Sequence, residues 1–220
     1  MKTTHLIFDF NGTCFKDTLI NYKAWNRSVH SWFDRDYSME EYRNLNGRTG
    51  FNTVEELFKD YDYPKSKLTE LLEYQNKNYL DVCHESVPLS LAPGLKELVE
   101  KAKSKGIIVA ICTSATSELM KEFRAMLPVD ELFEEKNIIC SNGNLPSKPH
   151  PAIFTHAVEA LGANPENCIA FEDTKSGLRS AYDAGIKRVV AITGDNICEL
   201  KTDVPIVRNA KDFFEVLDLI

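Results

Sequence analysis

Short apolar segments alternate with segments of helical periodicity from residue 89 onward, and this alternation constrains the fold more than any other feature of the sequence. The strand-like segments there are 107–112, 138–140, 168–171 and 188–192. The helical segments are 93–106, 117–126, 151–161, a run that ends at residue 184, and 213–219. Buried strands that alternate with helices indicate a parallel sheet with helices on both faces. We therefore predict an α/β fold, a Rossmann-like doubly wound parallel sheet, in which residues 6–8 form the first strand.

Residues 18–85 differ from the rest of the chain, because they contain several helical segments and no convincing strand. The four-residue stretches that begin at Ser38 and at Asn52 both resemble the capping boxes that start helices. A proline then introduces a long run with apolar residues at helical spacing. We therefore predict an all-helical domain at 18–85, inserted into a Rossmann-like core made of residues 1–17 and 86–220.

The charge and hydropathy of the chain exclude several classes of function. The chain has 26 Lys and Arg residues and 33 Asp and Glu residues, which give a formal net charge of −7. Its basic residues do not form a cluster in the sequence. A nucleic-acid partner is therefore not expected. The longest purely apolar run, 107–112, is far too short to cross a bilayer. The residues before the first strand contain no apolar run of the signal-peptide kind, so we expect no signal peptide. We expect no membrane partner.

The cysteines of the chain are far apart in sequence and never form a Cys-x-x-Cys pair. They are Cys14, Cys83, Cys112, Cys140, Cys168 and Cys198. This spacing fits neither a zinc site nor a compact disulfide framework, so we expect reduced thiols and a cytoplasmic location. The net charge and the small size of the inserted domain fit a monomer.

Four polar clusters follow the predicted strands at the carboxyl ends, which meet at one edge of a parallel sheet. They are Asp9 with Asn11, Thr113 with Ser114, Lys148, and Glu172 with Asp173. Gly12, next to Thr13, lets the chain turn and brings backbone N–H groups close to an anion. Carboxylates hold a hard cation such as Mg²⁺, while a lysine and a hydroxyl neutralise and orient phosphate oxygens. The sequence therefore predicts a site for a cation and a phosphate group at this edge.

Taken together and in this order, the motifs resemble those of the haloacid dehalogenase superfamily of hydrolases. The motifs are Asp9-Phe10-Asn11-Gly12-Thr13, Thr113-Ser114, Lys148-Pro149 and Glu172-Asp173. Within that superfamily the chain is similar to the beta-phosphoglucomutase-like phosphatases, which carry a small helical cap after the first motif. The resemblance covers essentially the whole chain. It implies a Mg²⁺-dependent phosphatase or phosphotransferase that acts on a small phosphorylated metabolite, such as a sugar phosphate.

The resemblance implies a role for each residue that contacts the phosphoryl group. Asp9 would be the nucleophile, which takes the phosphoryl group as an aspartyl-phosphate that water then hydrolyses. Lys148 would pair both with Asp9 and with the phosphate. The other phosphate contacts would come from Gly12, Thr13, Thr113 and Ser114.

The resemblance also implies a Mg²⁺ site and one substrate contact from the cap. Asp9 and Asp173 would ligate the metal, with Glu172 either among the ligands or just behind them. The backbone carbonyl of Asn11 would supply a further ligand. The loop that carries Arg48 resembles the cap loop that faces the active site in this branch, so Arg48 would meet a substrate anion.

Asn11 departs from the family pattern, which has a second aspartate at this position. That aspartate protonates the leaving oxygen and later activates water, and an asparagine side chain can do neither. Positioned general acid–base catalysis typically contributes about 10²–10⁴-fold to the rate. We therefore expect slow turnover or a preference for good leaving groups, unless a group from the cap supplies the proton.

Two other functions stay open on the sequence alone. Phosphonoacetaldehyde hydrolases also lack this aspartate and cleave a carbon–phosphorus bond through a cap lysine that forms a Schiff base. Lys16 or Lys23 would have to play that part here. The other alternative is a non-catalytic protein that binds a phosphorylated metabolite, and Mg²⁺-dependent turnover distinguishes it from an enzyme.

Overall fold

The computed structural model describes residues 2–141, 145–194 and 202–220. The chain divides into two compact units, one made of Asp17–Leu89 and the other of Met1–Lys16 with Ser90–Ile220. Within the described ranges, no helix is long and apolar enough to span a membrane. The five cysteines in these ranges are free thiols, and Cys198 lies outside the described residues.

The unit Asp17–Leu89 is built from helices around an aromatic core. Its helices are α1 (Thr18–Phe33), α2 (Met39–Leu45), α3 (Gly50–Leu57) and α4 (Leu68–Glu85), with a 3₁₀ turn at Lys65–Lys67. Trp25, Tyr37, Tyr42 and Phe58 are buried in one cluster of this unit. Because aromatic side chains bury large areas, a few of them suffice to hold four short helices together.

Side-chain caps begin two of these helices. Ser38 caps α2 with the reciprocal box that its sequence predicts, since Ser38 Oγ accepts from the Glu41 N–H and Glu41 accepts from the Ser38 N–H. The capping box predicted at Asn52 is wrong, because Thr49 caps α3 and Asn52 lies within the helix. Thr49 Oγ1 donates to Asn52 Oδ1 at 2.5 Å, so the asparagine is the partner of the cap instead of the cap itself.

The other unit contains a parallel sheet. Within the described residues its six strands are β1 (His5–Phe8), β2 (Ile108–Thr116), β3 (Ile138–Ser141), β4 (Cys168–Glu172), β5 (Arg188–Ile192) and β6 (Arg208–Ala210). Their order is β3-β2-β1-β4-β5-β6, and each neighbouring pair is parallel. β1 and β4 are buried along their whole length, which is typical of a sheet covered on both faces. The predicted Rossmann-like α/β fold is confirmed.

Helices of this second unit connect the strands and cover the sheet. They are α5 (Leu95–Ser104), α6 (Ser117–Met126), α7 (Val129–Leu132), α8 (Ala152–Ala160) and α9 (Lys175–Asp183). The α-helix predicted at 213–219 is a 3₁₀ helix, Phe213–Leu219. Its two buried residues, Phe213 and Val216, are three positions apart, which suits three residues per turn.

The strands differ from the prediction in several places. β2 continues to Thr116, because it still pairs with β3 after an irregularity in the register, so Thr113 and Ser114 lie inside the strand. β4 includes Glu172 as its last residue. β6 is missing from the prediction, since a three-residue edge strand with a polar sequence has no apolar pattern to reveal it.

The register of the central strands positions the predicted site. Phe8 of β1 pairs with Phe171 of β4, and their rings stack with centroids 4.7 Å apart and an interplanar angle of 9°. Successive side chains of a strand point to opposite faces, so Asp9 and Glu172, which come next, share the other face. Adjacent strands therefore deliver two carboxylates to the same edge of the sheet.

His5 lies at the opposite end of β1 and is buried at 7% exposure. The Thr4 hydroxyl is 2.9 Å from His5 Nδ1, whereas Nε2 is buried with no hydrogen-bond partner among the described residues. Burial lowers the pKa of His5, because the charged imidazolium loses its hydration.

We predict that His5→Phe removes part of the stability loss on acidification. The lowered pKa means that the unfolded chain takes up a proton near pH 6.5 while the folded chain resists it. The titration of His5 therefore leaves the free energy of unfolding unchanged above about pH 6.5. Below that pH it lowers the free energy of unfolding by at most about 1.4 kcal/mol per pH unit. Urea unfolding of both proteins across this pH range measures the slope.

His156→Asn is the matched control, because His156 is exposed on α8. It should keep the wild-type pH dependence. Equal slopes for wild type and His5→Phe would contradict the prediction.

Candidate active site

Asp9 begins the turn that follows β1. It is buried at 6% exposure, and its backbone N–H donates to the carbonyl of Phe171 at 2.9 Å. Gly12 has a φ of +81°, and its N–H donates to the carbonyl of Phe15 at 2.8 Å. A Cβ atom on Gly12 would lie 2.1 Å from Asp173 Oδ2. Only glycine permits both this backbone conformation and this close approach to the carboxylate.

Lys148 joins two carboxylates in the interior of the site. It lies in the segment that precedes α8, and its Nζ donates to Asp9 Oδ1 at 2.6 Å and to Glu172 Oε1 at 2.5 Å. The side chains of Lys148, Asp9 and Glu172 are 2%, 8% and 1% exposed. Nζ also lies 5.3 Å from the centroid of the Phe154 ring. Lysine is almost never buried without partners, so this triad is one electrostatic unit.

Two opposed effects act on the Lys148 ammonium. Burial alone lowers the pKa of Lys148, but the carboxylates of Asp9 and Glu172 outweigh it and raise the pKa above its ordinary value. The lysine is therefore a permanent cation at neutral pH. It provides a fixed positive charge next to Asp9 rather than a proton or an amine nucleophile.

Glu172 uses both of its carboxylate oxygens within the protein. Oε1 accepts from Lys148, while Oε2 accepts from the Asp173 N–H at 3.0 Å, the Thr174 N–H at 3.2 Å and the Thr174 hydroxyl at 3.1 Å. Thr174 is the N-cap of α9. Sequence reasoning missed it, although a threonine just before a helix is a usual capping signal.

Three carboxylates come together at this edge of the sheet. Asp9, Glu172 and Asp173 each offer one oxygen, and these oxygens lie within 4.8 Å of one another. Thr13, which is fully buried, donates from Oγ1 to Asp173 Oδ1 at 3.3 Å and so orients that carboxylate. Oxygen donors at this spacing fit a hard divalent cation such as Mg²⁺.

The remaining predicted residues have different positions. Thr113 is buried in β2, and its Oγ1 accepts from the Ala115 N–H at 3.1 Å, while Ser114 is half-buried. Asn11 is half-buried and forms an isolated bridge with Phe15. Arg48 is exposed in the loop between α2 and α3, and it belongs to the helical unit.

Two thiols near the site are not candidates for nucleophiles. Burial raises the pKa of both Cys14 and Cys112, and the negative charge of Asp9 adds to that effect in each case. A thiol must lose its proton to react, so both residues act as small apolar groups in the core.

A Rossmann-like parallel sheet with a lysine and three carboxylates gathered at its carboxyl edge is the arrangement of an α/β protein with a ligand or active site at that edge. The sequence profile described as haloacid dehalogenase-like hydrolase matches residues 6–191, and the chain belongs to that family. The family model therefore identifies the chain as a hydrolase.

Two curated relatives and one solved structure match this chain over most of their length. Protein CbbY of Rhodobacter capsulatus is 30% identical over 199 residues, which cover 86% of each chain. A phosphorylated carbohydrates phosphatase of Thermotoga maritima is 26% identical over 190 residues, which cover 85% of this chain and 84% of that protein. The crystal structure of a mutant CbbY from Rhodobacter sphaeroides, in complex with xylulose-(1,5)bisphosphate, is 23% identical. It superposes with a TM-score of 0.83 over 97% of this chain and 96% of that chain.

We predict that Lys148→Met strongly destabilises the protein. Removal of the ammonium leaves Asp9 and Glu172 buried without a counter-charge, and breaking a buried pair typically costs about 3–5 kcal/mol. Urea unfolding in the presence of EDTA measures the loss. Lys59→Met is the control, because the Lys59–Glu56 pair is exposed and should contribute little. Equal effects of the two substitutions would contradict the prediction.

Proposed function

We propose that the protein hydrolyses a phosphate monoester of a small sugar through an aspartyl-phosphate on Asp9, with Mg²⁺ as cofactor. The observation that carries this proposal is the buried contact of Lys148 with Asp9 and Glu172. A cation fixed beside a strand-end carboxylate orients that carboxylate and attracts the anionic substrate toward it. The Thermotoga maritima relative, which is named a phosphorylated carbohydrates phosphatase, supports the substrate class.

The first step transfers the phosphoryl group to Asp9. One carboxylate oxygen of Asp9 attacks phosphorus in line, a P–O bond to Asp9 forms, and the P–O bond to the sugar breaks. The leaving oxygen takes the electron pair and receives its proton from water. In the second step water attacks phosphorus, gives up a proton to solvent, and releases phosphate while the Asp9 carboxylate is restored. Lys148 balances the charge of the phosphoryl oxygens in both steps.

The donor set supports a divalent cation. Three carboxylates against one ammonium leave this cluster with a formal charge of −2 when all four groups are ionised. We assign Asp9, Asp173 and the backbone carbonyl of Asn11 as the ligands. Glu172 already accepts four hydrogen bonds, so we assign it to the orientation of Lys148. When bound, Mg²⁺ would neutralise phosphate charge and help to hold the phosphoryl group in line.

Substrate contacts come from two groups of residues in this proposal. Thr113 and Ser114, in the second half of β2, and the turn with Gly12 and Thr13 would surround the phosphate. In the turn, the Gly12 N–H donates a hydrogen bond to the Phe15 carbonyl, and the Thr13 hydroxyl donates one to the Asp173 carboxylate. In this proposal the two residues therefore act mainly by shaping the turn. Arg48 of the helical unit would contact a second anionic group of the substrate.

We predict that Asn11→Asp makes the rate less sensitive to the leaving group. The asparagine amide has no acidic proton, so the wild-type enzyme must expel each leaving group without protonation. Rates of wild type on a series of aryl phosphates should fall steeply as the leaving-group pKa rises. The substitution should flatten this dependence and speed the poorest leaving groups, including sugar alkoxides, by about 10²-fold or more. Unchanged slopes would show that another group supplies the proton.

We predict Mg²⁺-dependent release of phosphate from acetyl phosphate and from at least one member of a panel of sugar phosphates. EDTA should abolish the release, because the carboxylate cluster without a cation repels phosphate. Asp9→Asn should remove turnover while it keeps the fold, as checked by circular dichroism, because it deletes the nucleophile and little volume. A panel without Mg²⁺-dependent turnover, combined with calorimetric binding of a sugar phosphate, would replace the proposal by a non-catalytic binding protein.

The carbon–phosphorus alternative gains little support from the lysines it requires. Lys16 Nζ donates to the carbonyl of Lys211 at 3.0 Å, and Lys23 is exposed on α1. A Schiff-base lysine needs an unprotonated amine, which usually requires burial or a neighbouring cation. Borohydride trapping with phosphonoacetaldehyde tests the alternative directly, and a covalent adduct on either lysine would overturn the phosphatase proposal.

A further inference from the structure

Three residues at the start of α9 and within it, spaced three positions apart, lie next to the two partners of the Lys148–Glu172 ion pair. Two of them are beside the Glu172 carboxylate, and the third binds the turn that carries Lys148. Thr174 is the N-cap of α9, Gly177 is in its first turn, and Ser180 is in its second half. We propose that these three residues position the ion pair, and that Gly177 and Ser180 are thereby positioning residues for phosphoryl transfer. The catalytic part of this inference rests on the proposed function.

Gly177 provides the space that the Glu172 carboxylate occupies. A Cβ atom at this position would lie 1.9 Å from both Cδ and Oε1 of Glu172 and 2.1 Å from its Oε2. The carboxylate cannot simply swing away, because Lys148 and three donors from Asp173 and Thr174 hold its two oxygens. Any larger residue than glycine must therefore displace Glu172 from the ion pair.

Thr174 links the start of α9 to the same carboxylate. Its hydroxyl donates to Glu172 Oε2 at 3.1 Å and accepts the N–H of Gly177 at 3.0 Å. The hydroxyl therefore caps the helix and holds the carboxylate at once. This coupling makes the position of Glu172 depend on the first turn of α9.

Ser180 connects α9 to the segment that carries Lys148. It is fully buried, and its Oγ donates to the carbonyl of His150 at 2.7 Å. The N–H of His150 in turn donates to the carbonyl of Ser147, so the turn around Lys148 is closed on itself. One helix thus holds both partners of the ion pair, Glu172 from one end and the Lys148 turn from the other.

Gly177 is an unfavourable residue for a helix, and its positioning role explains why it is there. Glycine within a helix is less favourable than alanine by about one kcal/mol of helix propensity. Gly177→Ala would therefore stabilise α9 if nothing opposed the methyl group. A loss of stability from this substitution is a specific sign that the carboxylate is held in place.

Thermal unfolding of four proteins tests the first half of the proposal: wild type, Gly177→Ala, Glu172→Asp and the double variant. We expect Gly177→Ala to lower Tm by roughly 3–10 °C, the usual range for overpacking in a protein of this size. In the Glu172→Asp background the fall should be less than half as large, because the shorter side chain withdraws the carboxylate from the new methyl group. Equal falls in both backgrounds, or no fall in either, would overturn the assignment of Gly177.

Gly50→Ala is the matched control. Gly50 is also in the first turn of a helix, α3, and a Cβ there would lie 2.6 Å from Leu72 Cδ1. That atom is the end of a flexible side chain with no polar partner, so it can move. Gly50→Ala should change Tm by no more than about 2 °C. A fall as large as that of Gly177→Ala would mean that crowding alone explains both, and would overturn the proposal.

Kinetics of phosphate release from acetyl phosphate test the second half. Ser180→Ala, measured well below its Tm, should lower kcat by roughly 10-fold with KM nearly unchanged, since a displacement of the lysine affects the reacting geometry more than binding. Ser86→Ala removes a hydroxyl–carbonyl bond of the same 2.7 Å length in the helical unit and should leave kcat unchanged. An unchanged kcat for Ser180→Ala would overturn the role of Ser180.

The two halves of the test separate this inference from the proposed function. The Tm cycle of Gly177 and Glu172 needs no substrate and no turnover. If no phosphate is released by wild type, the proposed function fails, while a positive cycle still supports the positioning of Glu172 by α9. If wild type is active and the cycle shows no coupling, the proposed function stands and this inference fails.

Discussion

The buried ion pair of Lys148 with Asp9 and Glu172 is the interaction on which the rest of the site depends. An ammonium removed from water is tolerated only if carboxylates replace its hydration. One of these carboxylates directly follows β1 and the other is the last residue of β4. β1 and β4 must therefore be neighbours and in the observed register before Lys148 can be buried. The stacked rings of Phe8 and Phe171, one residue before the carboxylates, fix that register from the apolar side.

The ion pair also links the sheet to α8 and α9, the helices next to its two partners. Lys148 enters from the segment before α8, and its ammonium lies against the ring of Phe154 on that helix. Glu172 is held from the first turn of α9 through Thr174. A charged group that is anchored on several elements has little freedom to reorient, which is the condition for electrostatic preorganisation of the phosphoryl-transfer site that we propose.

Sequence reasoning predicted the parts of the structure that have a local signal. Apolar segments that alternate with helical segments predicted the parallel sheet, and the polar residues that follow them predicted the carboxyl-edge cluster around Asp9. What it missed depends on distant contacts. The burial of His5, the edge strand β6 and the space beside Gly177 follow from which elements become neighbours, and no short window of sequence carries that information. The capping error at Asn52 is local, and arose because Thr49 and Asn52, three positions apart, are both residue types that suit a cap.

Asn11 bears differently on two properties of the site: the charge and geometry around Asp9, and the transfer of a proton to the leaving group. Charge and geometry around Asp9 depend on Lys148, Glu172 and Asp173, and an uncharged side chain at position 11 leaves those contacts in place. In the proposed mechanism, proton transfer to the leaving group would need an acidic side chain at position 11, which Asn11 does not provide. In the proposed mechanism, phosphoryl transfer to Asp9 is then limited by the stability of the departing oxyanion. The identity of the leaving group, more than the fit of the sugar, would decide which phosphate esters this enzyme hydrolyses at a useful rate.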